Sequence, residues 1–167
     1  MLFCLLFTLA VAAVFHFIIS LVASIAYRIK IRNLLDGISS KDDLLYMNTK
    51  DFINVIAEAF RRKGHKVEFT DRCGEEGNGI IIDDKIFAVV WKHAYKRQVE
   101  IEDAMKFARC MQNNSIYRGM LITLGDYKTN TRLFCFKNVI SCINGDQLLE
   151  ICKEVQMRRR PLEKPVG

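Results

Sequence analysis

The first 27 residues contain the feature that most limits how this chain can fold. From Leu2 to Tyr27 no side chain carries a formal charge at pH 7. A helix over this run would be roughly 39 Å long, enough to cross a bilayer with some tilt. A cleaved signal peptide is the alternative, but nothing basic precedes the run, and the run exceeds the roughly 7–15 residues of a signal core. The sequence therefore predicts an uncleaved transmembrane helix over 2–27.

The charges that follow this run predict its orientation. Arg28, Lys30 and Arg32 come directly after Tyr27, whereas only Met1 precedes the run. Basic residues next to a membrane span concentrate on its cytoplasmic side. We therefore expect a single-pass protein of the inner (cytoplasmic) membrane, with its N-terminus outside and the rest of the chain in the cytoplasm.

The rest of the chain is basic and contains several cysteines. The formal net charge of +6 lies entirely after Tyr27, and it favours either phosphate backbones or anionic lipid head groups as partners. The six cysteines include no C-x-x-C pair and no Cys/His cluster at zinc spacing. In a cytoplasmic protein they are expected to be reduced thiols, packed mostly as small apolar groups.

The order of helix and strand patterns predicts one α/β domain. The polar turn residues of "DGISSKDD" predict a juxtamembrane connector over 28–47. From 48 to 156 the patterns indicate a helix, a strand, a tight hairpin, a helix, a strand, a helix, a strand and a closing helix. The sixth of these, "DYKTNTRLFCFKN", is assigned to a helix although Leu-Phe-Cys-Phe favours a strand. This order predicts a mixed central sheet flanked by helices, with a flexible basic tail at 157–167.

Several short motifs resemble those of one nuclease family. The opening helix is followed by "GHKVEFT", and a glycine-rich loop leads into a hairpin that ends in "VVWKH". "RGMLIT" and "ISCINGDQLLEI" follow at the family's spacing. Over Thr49 to Val155 the chain resembles the Mrr-like type IV restriction endonucleases of the PD-(D/E)xK nuclease fold. This resemblance implies a restriction-endonuclease-like sheet and a metal-dependent DNA endonuclease as ancestor.

The resemblance also implies a site that has lost its acids. Family members hold magnesium with carboxylates and use a lysine beside them, and that lysine corresponds to Lys92. The acidic positions correspond to Ile53, to Gly79 or Ile81, and to Val90, none of which has a side chain that binds magnesium. We therefore expect a catalytically degenerate domain without a cofactor.

Catalysis with rearranged ligands is the alternative that the sequence leaves open. Acidic side chains occur in the glycine-rich loop, as Glu75 and Glu76, and at the hairpin turn, as Asp83 and Asp84. These four are the candidate ligands if the domain still binds magnesium, although loop and turn charges also explain them.

The stretch after the hairpin suggests what the domain binds. Lys92, His93, Lys96 and Arg97 alternate with Trp91 and Tyr95. Cations for phosphates and flat rings for bases form a common combination for sequence-tolerant nucleic-acid binding. A solvated basic turn is the plain alternative.

These patterns together predict a membrane-anchored domain that binds DNA or a protein partner. The protein partner is either a different protein or a second copy of this chain. An active endonuclease and a membrane-bound protein-interaction module without nucleic-acid binding are the alternatives. No small-molecule substrate is evident from the sequence.

Overall fold

The computed structural model describes residues 2–73, 79–92 and 97–157. The chain begins with three helices. Helix α1 runs from Leu2–Gly37, α2 from Lys41–Tyr46 and α3 from Thr49–Arg62. Ser40 caps α2 and Asn48 caps α3 through side chains that accept backbone N–H bonds.

The rest of the domain alternates strands with helices. In chain order the elements are β1 (Val67–Thr70), β2 (Gly79–Ile82), β3 (Ile86–Trp91), β4 (Gln98–Val99), α4 (Ile101–Asn113), β5 (Gly119–Thr123), β6 (Asp126–Tyr127), α5 (Thr129–Lys137), β7 (Ile140–Ile143) and α6 (Gly145–Met157). The sequence "DYKTNTRLFCFKN" therefore forms a helix over most of its length, as predicted.

Five strands form the central sheet in the order β1-β2-β3-β5-β7. Strands β1, β2 and β3 pair antiparallel, whereas β3, β5 and β7 pair parallel. Strands β4 and β6 form a separate small parallel pair. The predicted mixed α/β sheet is confirmed.

Helices cover both faces of this sheet and define two hydrophobic clusters. Helices α3 and α6 pack on the face that presents Ile80, Ile82, Ala88 and Val90, and α1 packs against α3 and α6. Helices α4 and α5 cover the other face, which presents Phe87, Val89, Leu121 and Ile140. Because side chains alternate along a strand, neighbouring residues of β3 belong to different clusters.

The predicted connector over 28–47 is instead part of the folded domain. Helix α1 continues without a break to Gly37, and its last turns bury Ile31, Leu35 and the nearby Ile38 against α3 and α6. In α2, Leu44 is fully buried. The prediction gave weight to the polar turn residues and overlooked this apolar stripe at helical spacing.

Two cysteines form a disulfide, contrary to the prediction of reduced thiols. Cys73, just after β1, is bonded to Cys110 on α4, with their Cα atoms 5.6 Å apart. The two lie 37 residues apart in sequence, so no local spacing indicates their pairing. Cys135, Cys142 and Cys152 are free, and burial raises the pKa of Cys152 to about 12.

Among the described residues one helical segment, Val11–Gly37, is long and apolar enough to cross a membrane. Its apolar side chains before Tyr27 are exposed in the isolated chain; Phe15 and Phe17, for example, are 65% and 67% exposed.

Candidate functional site

Strand β3 positions the lysine that the sequence singled out. Lys92 directly follows the last residue of β3, and Val90 is 1% exposed in the cluster formed with α1, α3 and α6. The Nζ atom of Lys92 donates a hydrogen bond to the backbone carbonyl of Met47, between α2 and α3. The side chains of Val90 and Lys92 therefore lie on the same side of the sheet.

Ile53 of helix α3, the second position that corresponds to an acid of the family, lies on the same side of the sheet. Ile53 is 6% exposed and belongs to the same cluster as Val90. Its helix is strongly amphipathic, with Phe52, Val55, Ile56, Ala59 and Phe60 also buried. An apolar side chain at Ile53 therefore serves the core.

The register of the hairpin shows on which face of the sheet the residues of β2 lie. Gly79 lies opposite Val89 and Ile81 lies opposite Phe87, so both belong to the α4 face. Ile80 lies opposite Ala88 and is fully buried on the face of Val90. Among the described residues of β2, Ile80 rather than Gly79 or Ile81 is thus beside the expected acidic position.

The packing of the backbone explains why a glycine occupies position 79. A Cβ atom at this position would lie 2.7 Å from the carbonyl oxygen of Thr70 and 2.9 Å from that of Arg72. Only glycine therefore allows the start of β2 to approach the end of β1 so closely.

Lys92 is half-buried where it meets Met47. Burial lowers the pKa of its ammonium group below the usual range. The hydrogen bond ties the end of β3 to the junction of α2 and α3. As the structure stands, this lysine holds backbone segments together.

The acids of the hairpin turn lie at the other end of β3. Asp83 and Asp84 have φ of 54° and 57°, as the two central residues of a type I′ turn require, and the backbone N–H of Lys85 closes this turn on the carbonyl oxygen of Ile82. Asp83 accepts hydrogen bonds from the backbone of Lys66 (2.9 Å) and lies 2.8 Å from the ring Nδ1 of His65. The side-chain contact with His65, followed by the Lys66 backbone bond, lowers the pKa of Asp83.

These turn acids do not meet Lys92. Asp84 is bound to the ammonium group of Lys66 at 3.0 Å, and the length of β3, roughly 20 Å from the turn, separates both acids from Lys92. Glu75 and Glu76 lie outside the described residues. Within the described ranges, no group of three or more His, Cys, Asp and Glu side chains is placed to hold a metal ion.

The predicted nucleic-acid-binding stretch is described only at its two ends. Arg97 is exposed, and Trp91 is half-buried against the cluster under α4. His93, Tyr95 and Lys96 lie outside the described residues.

The sequence reading missed Asp51, which joins the N-terminal helix to the domain. Its side chain is only 4% exposed and accepts hydrogen bonds from Tyr27 (2.9 Å), Lys30 (2.6 Å) and Asn48 (2.7 Å). Burial opposes its ionisation, but the bonds from Lys30, Tyr27 and Asn48 outweigh burial and lower the pKa of Asp51. An Asn-x-x-Asp capping pattern at 48–51 was the available signal.

A second set of ion pairs lies further along the same two helices. Glu58 on α3 contacts Arg32 (3.1 Å) and Arg62 (3.6 Å), and Arg62 also pairs with Asp36 of α1. Gln156 of α6 donates to the carbonyl oxygen of Ile38. The last turns of α1 are therefore fastened to the domain by polar contacts as well as by apolar packing.

Comparison with known proteins identifies the family of this chain. The family model Mrr_cat, described as restriction endonuclease, matches residues 44–152. A solved structure described as the MspJI restriction endonuclease in complex with a 27-mer oligonucleotide is similar, with 11% identity and a TM-score of 0.44. The similarity covers 72% of this chain and 35% of that one, so this chain spans about a third of that protein. No curated protein matches. Since the family model covers well over half of its length, the chain belongs to the Mrr-type restriction endonuclease family.

Proposed function

We propose that this chain is a membrane-anchored member of the family that has lost phosphodiester hydrolysis and binds DNA at the cytoplasmic face of the membrane. One observation carries the loss of catalysis. Ile53, Ile80 and Val90 fill the face where carboxylates would hold magnesium, and each is at most 6% exposed within one apolar cluster.

Magnesium does not fit the described residues of this face. The ion needs oxygen ligands, commonly one or two carboxylates together with water and phosphate oxygens. Aliphatic side chains supply none, and a charged ion in an apolar cluster is strongly disfavoured.

Binding is proposed from charge and family membership. The stretch from Lys92 to Arg97 provides cations and an aromatic ring, and the chain carries a formal net charge of +6. Because Lys92 is already bound to Met47, we assign phosphate contacts to Lys96 and Arg97 and a positioning role to Lys92. A DNA backbone supplies the complementary negative charge.

Anchoring is proposed from α1. Its uncharged run ends at Tyr27 and is followed by Arg28, Lys30 and Arg32, and this charge asymmetry favours a cytoplasmic domain. Because α1 continues into the core, the domain is held at a short and fixed distance from the bilayer rather than on a loose tether.

The Cys73–Cys110 disulfide makes this orientation worth measuring. Cytoplasmic disulfides in mesophiles are mostly transient or redox-sensing. Fusing green fluorescent protein or alkaline phosphatase to the C-terminus distinguishes the two orientations. A fluorescent and phosphatase-inactive fusion is expected, and the reverse pattern would refute the cytoplasmic placement.

The full chain in lipid nanodiscs is the material for the functional test, since a domain cut after α1 would lose Ile31 and Leu35 from its core. Plasmid DNA is incubated with magnesium or manganese and analysed for cleavage, and a short duplex is analysed for gel retardation at two salt concentrations. We expect retardation without cleavage.

Matched variants identify the contacts. Exchanging both Lys96 and Arg97 for Gln is expected to weaken binding and to reduce the slope of log affinity against log salt by about 1.8, for two lost phosphate contacts. Lys92→Ala is expected to leave the slope unchanged.

Other outcomes identify the alternative functions. Metal-dependent cutting would show an active endonuclease, and Glu75 and Glu76 would then be the first ligands to exchange. Neither cutting nor retardation would refute DNA binding and leave a membrane-bound module for protein partners or for a second copy of this chain.

A further inference from the structure

A cavity lies at the hairpin end of the sheet, away from Lys92. Its volume is about 430 Å³, within the range of about 300–1,000 Å³ usual for small-molecule sites. Three segments form its walls: the residues after β1, the hairpin with the start of β3, and the connection from α4 to β5. None of the family's acidic positions named above, apart from Ile81, borders it.

Cations from all three segments line this cavity. Arg72, Lys85 and Arg118 each belong to a different wall and are exposed. Asp84 is the one acid among the described lining residues, and it is bound to Lys66 outside the cavity at 3.0 Å. In the described part of the chain none of the three cations forms an ion pair. The described lining residues are therefore positive on balance and suited to an anion.

The same cavity has an apolar side and an exposed aromatic ring. Ile81, Phe87 and Ile116 contribute apolar surface, and Tyr117 at the rim is 84% exposed. A tyrosine held at the rim of a positive cavity offers a face on which a flat ring stacks. Asn114 and Ser115 add hydrogen-bonding groups beside it.

The disulfide holds two walls of the cavity together. Arg72 directly precedes Cys73, and Cys110 lies on α4, four residues before Asn114. The Nδ2 atom of Asn114 also lies 3.6 Å from the Sγ atom of Cys73. Arg72 therefore lies next to one end of this covalent bond, and Tyr117 and Arg118 follow the helix that carries the other end. Because the bond limits how far these two segments can separate, it reduces the ordering cost of binding.

We propose that this cavity binds a small phosphorylated ligand that carries a flat ring, the chemical class of nucleoside monophosphates. Arg72, Lys85 and Arg118 contact the phosphate, and Tyr117 stacks on the ring. The site shares no residue with the proposed DNA contacts Lys96 and Arg97, and Lys85, Phe87 and Arg118 lie at the end of β3 away from Lys92.

Adenosine 5′-monophosphate is the probe. Its binding to the full chain in nanodiscs, with the disulfide intact, is measured by equilibrium dialysis at low salt. We expect saturable binding that weakens about 10-fold in Arg118→Gln and in Tyr117→Ala, the scale of one charged hydrogen bond or one stacked base. Arg109→Gln, an exposed arginine of α4 outside the cavity, is the control and should bind within about 2-fold of wild type.

Competition separates the two halves of the proposal. Inorganic phosphate and adenosine should each compete far more weakly than the whole nucleotide. Equal competition by phosphate would show an unspecific anion site, and equal competition by adenosine would show that the cations contribute nothing; either result overturns the proposal, as does the absence of binding.

Two further measurements serve as controls, one for the folding of each variant and one for DNA binding. Trp91 fluorescence during thermal unfolding verifies each variant, and Lys85→Gln at the exposed turn replaces Arg118→Gln if the latter does not fold. Gel retardation of a DNA duplex by the same samples reports the proposed DNA binding. A failure of nucleotide binding is therefore distinguishable from a failure of DNA binding.

Discussion

Reduction of the Cys73–Cys110 disulfide should destabilise the domain substantially. The bond closes a loop of 37 residues between the end of β1 and α4. It fixes the residues after β1 against α4. Breaking it increases the freedom of the unfolded chain far more than that of the folded one.

The magnitude follows from the loop length. The chain-entropy relation gives about 3.8 kcal/mol at 25 °C for a loop of 37 residues. With an unfolding entropy of about 2.1 cal/mol/K per residue and about 120 ordered residues, this corresponds to a decrease in Tm of about 15 °C. Because measured effects often fall short of this relation, we expect a loss of about 2–4 kcal/mol.

The assay uses the only tryptophan of the chain. Trp91 is half-buried against the cluster on which Cys73 packs, so its fluorescence reports unfolding of the domain. The full chain in detergent is heated with and without a phosphine reductant, and mass spectrometry counts the free thiols. Cys110→Ser should reproduce the reduced protein and show no further response to reductant. A change in Tm below about 2 °C with both thiols free would refute the reasoning.

Other perturbations examine the junction of α1 with the domain and the role of Lys92. Leu35→Ala, at a fully buried site, should lower the unfolding free energy by about 2–5 kcal/mol, whereas Leu133→Ala, at a leucine that is 58% exposed, should cost less than about 0.5 kcal/mol in the same denaturant titration. Asp51→Asn should cost about 2 kcal/mol at pH 7. Because the pKa of Asp51 is lowered on folding, its contribution is present above the unfolded pKa of about 3.9 and is lost as pH falls through the folded pKa, so the difference from wild type should shrink by pH 3; a constant difference would contradict this. Lys92→Ala should lower Tm by about 4 °C, for one lost hydrogen bond of about 1 kcal/mol, and an unchanged Tm would show that the contact with Met47 contributes nothing.

Local pattern accounts for most of the elements. Apolar residues at helical spacing and an Asn cap predicted α3, and two apolar runs around Asp83 and Asp84 predicted the hairpin. These features depend on residues close in sequence, so a single chain reveals them. The motif order also pointed to the family that the match over 44–152 now shows.

The face of the sheet on which a strand residue lies was harder to predict from the sequence. The acidic position of β2 was assigned to Gly79 or Ile81, but the register places Ile80 on the face of Val90. A shift of one residue moves a strand side chain to the opposite face, and the shortened hairpin left the register undetermined by sequence alone.

The sequence by itself determined the apolar N-terminal helix and the α/β order, because composition and periodicity are local properties. Only the tertiary structure decided that α1 enters the core through Ile31 and Leu35, that Asp51 binds Tyr27 and Lys30, and that Cys73 meets Cys110. These contacts join residues 20 or more positions apart, and their formation depends on how the helices pack on the two faces of the sheet, which no local pattern specifies.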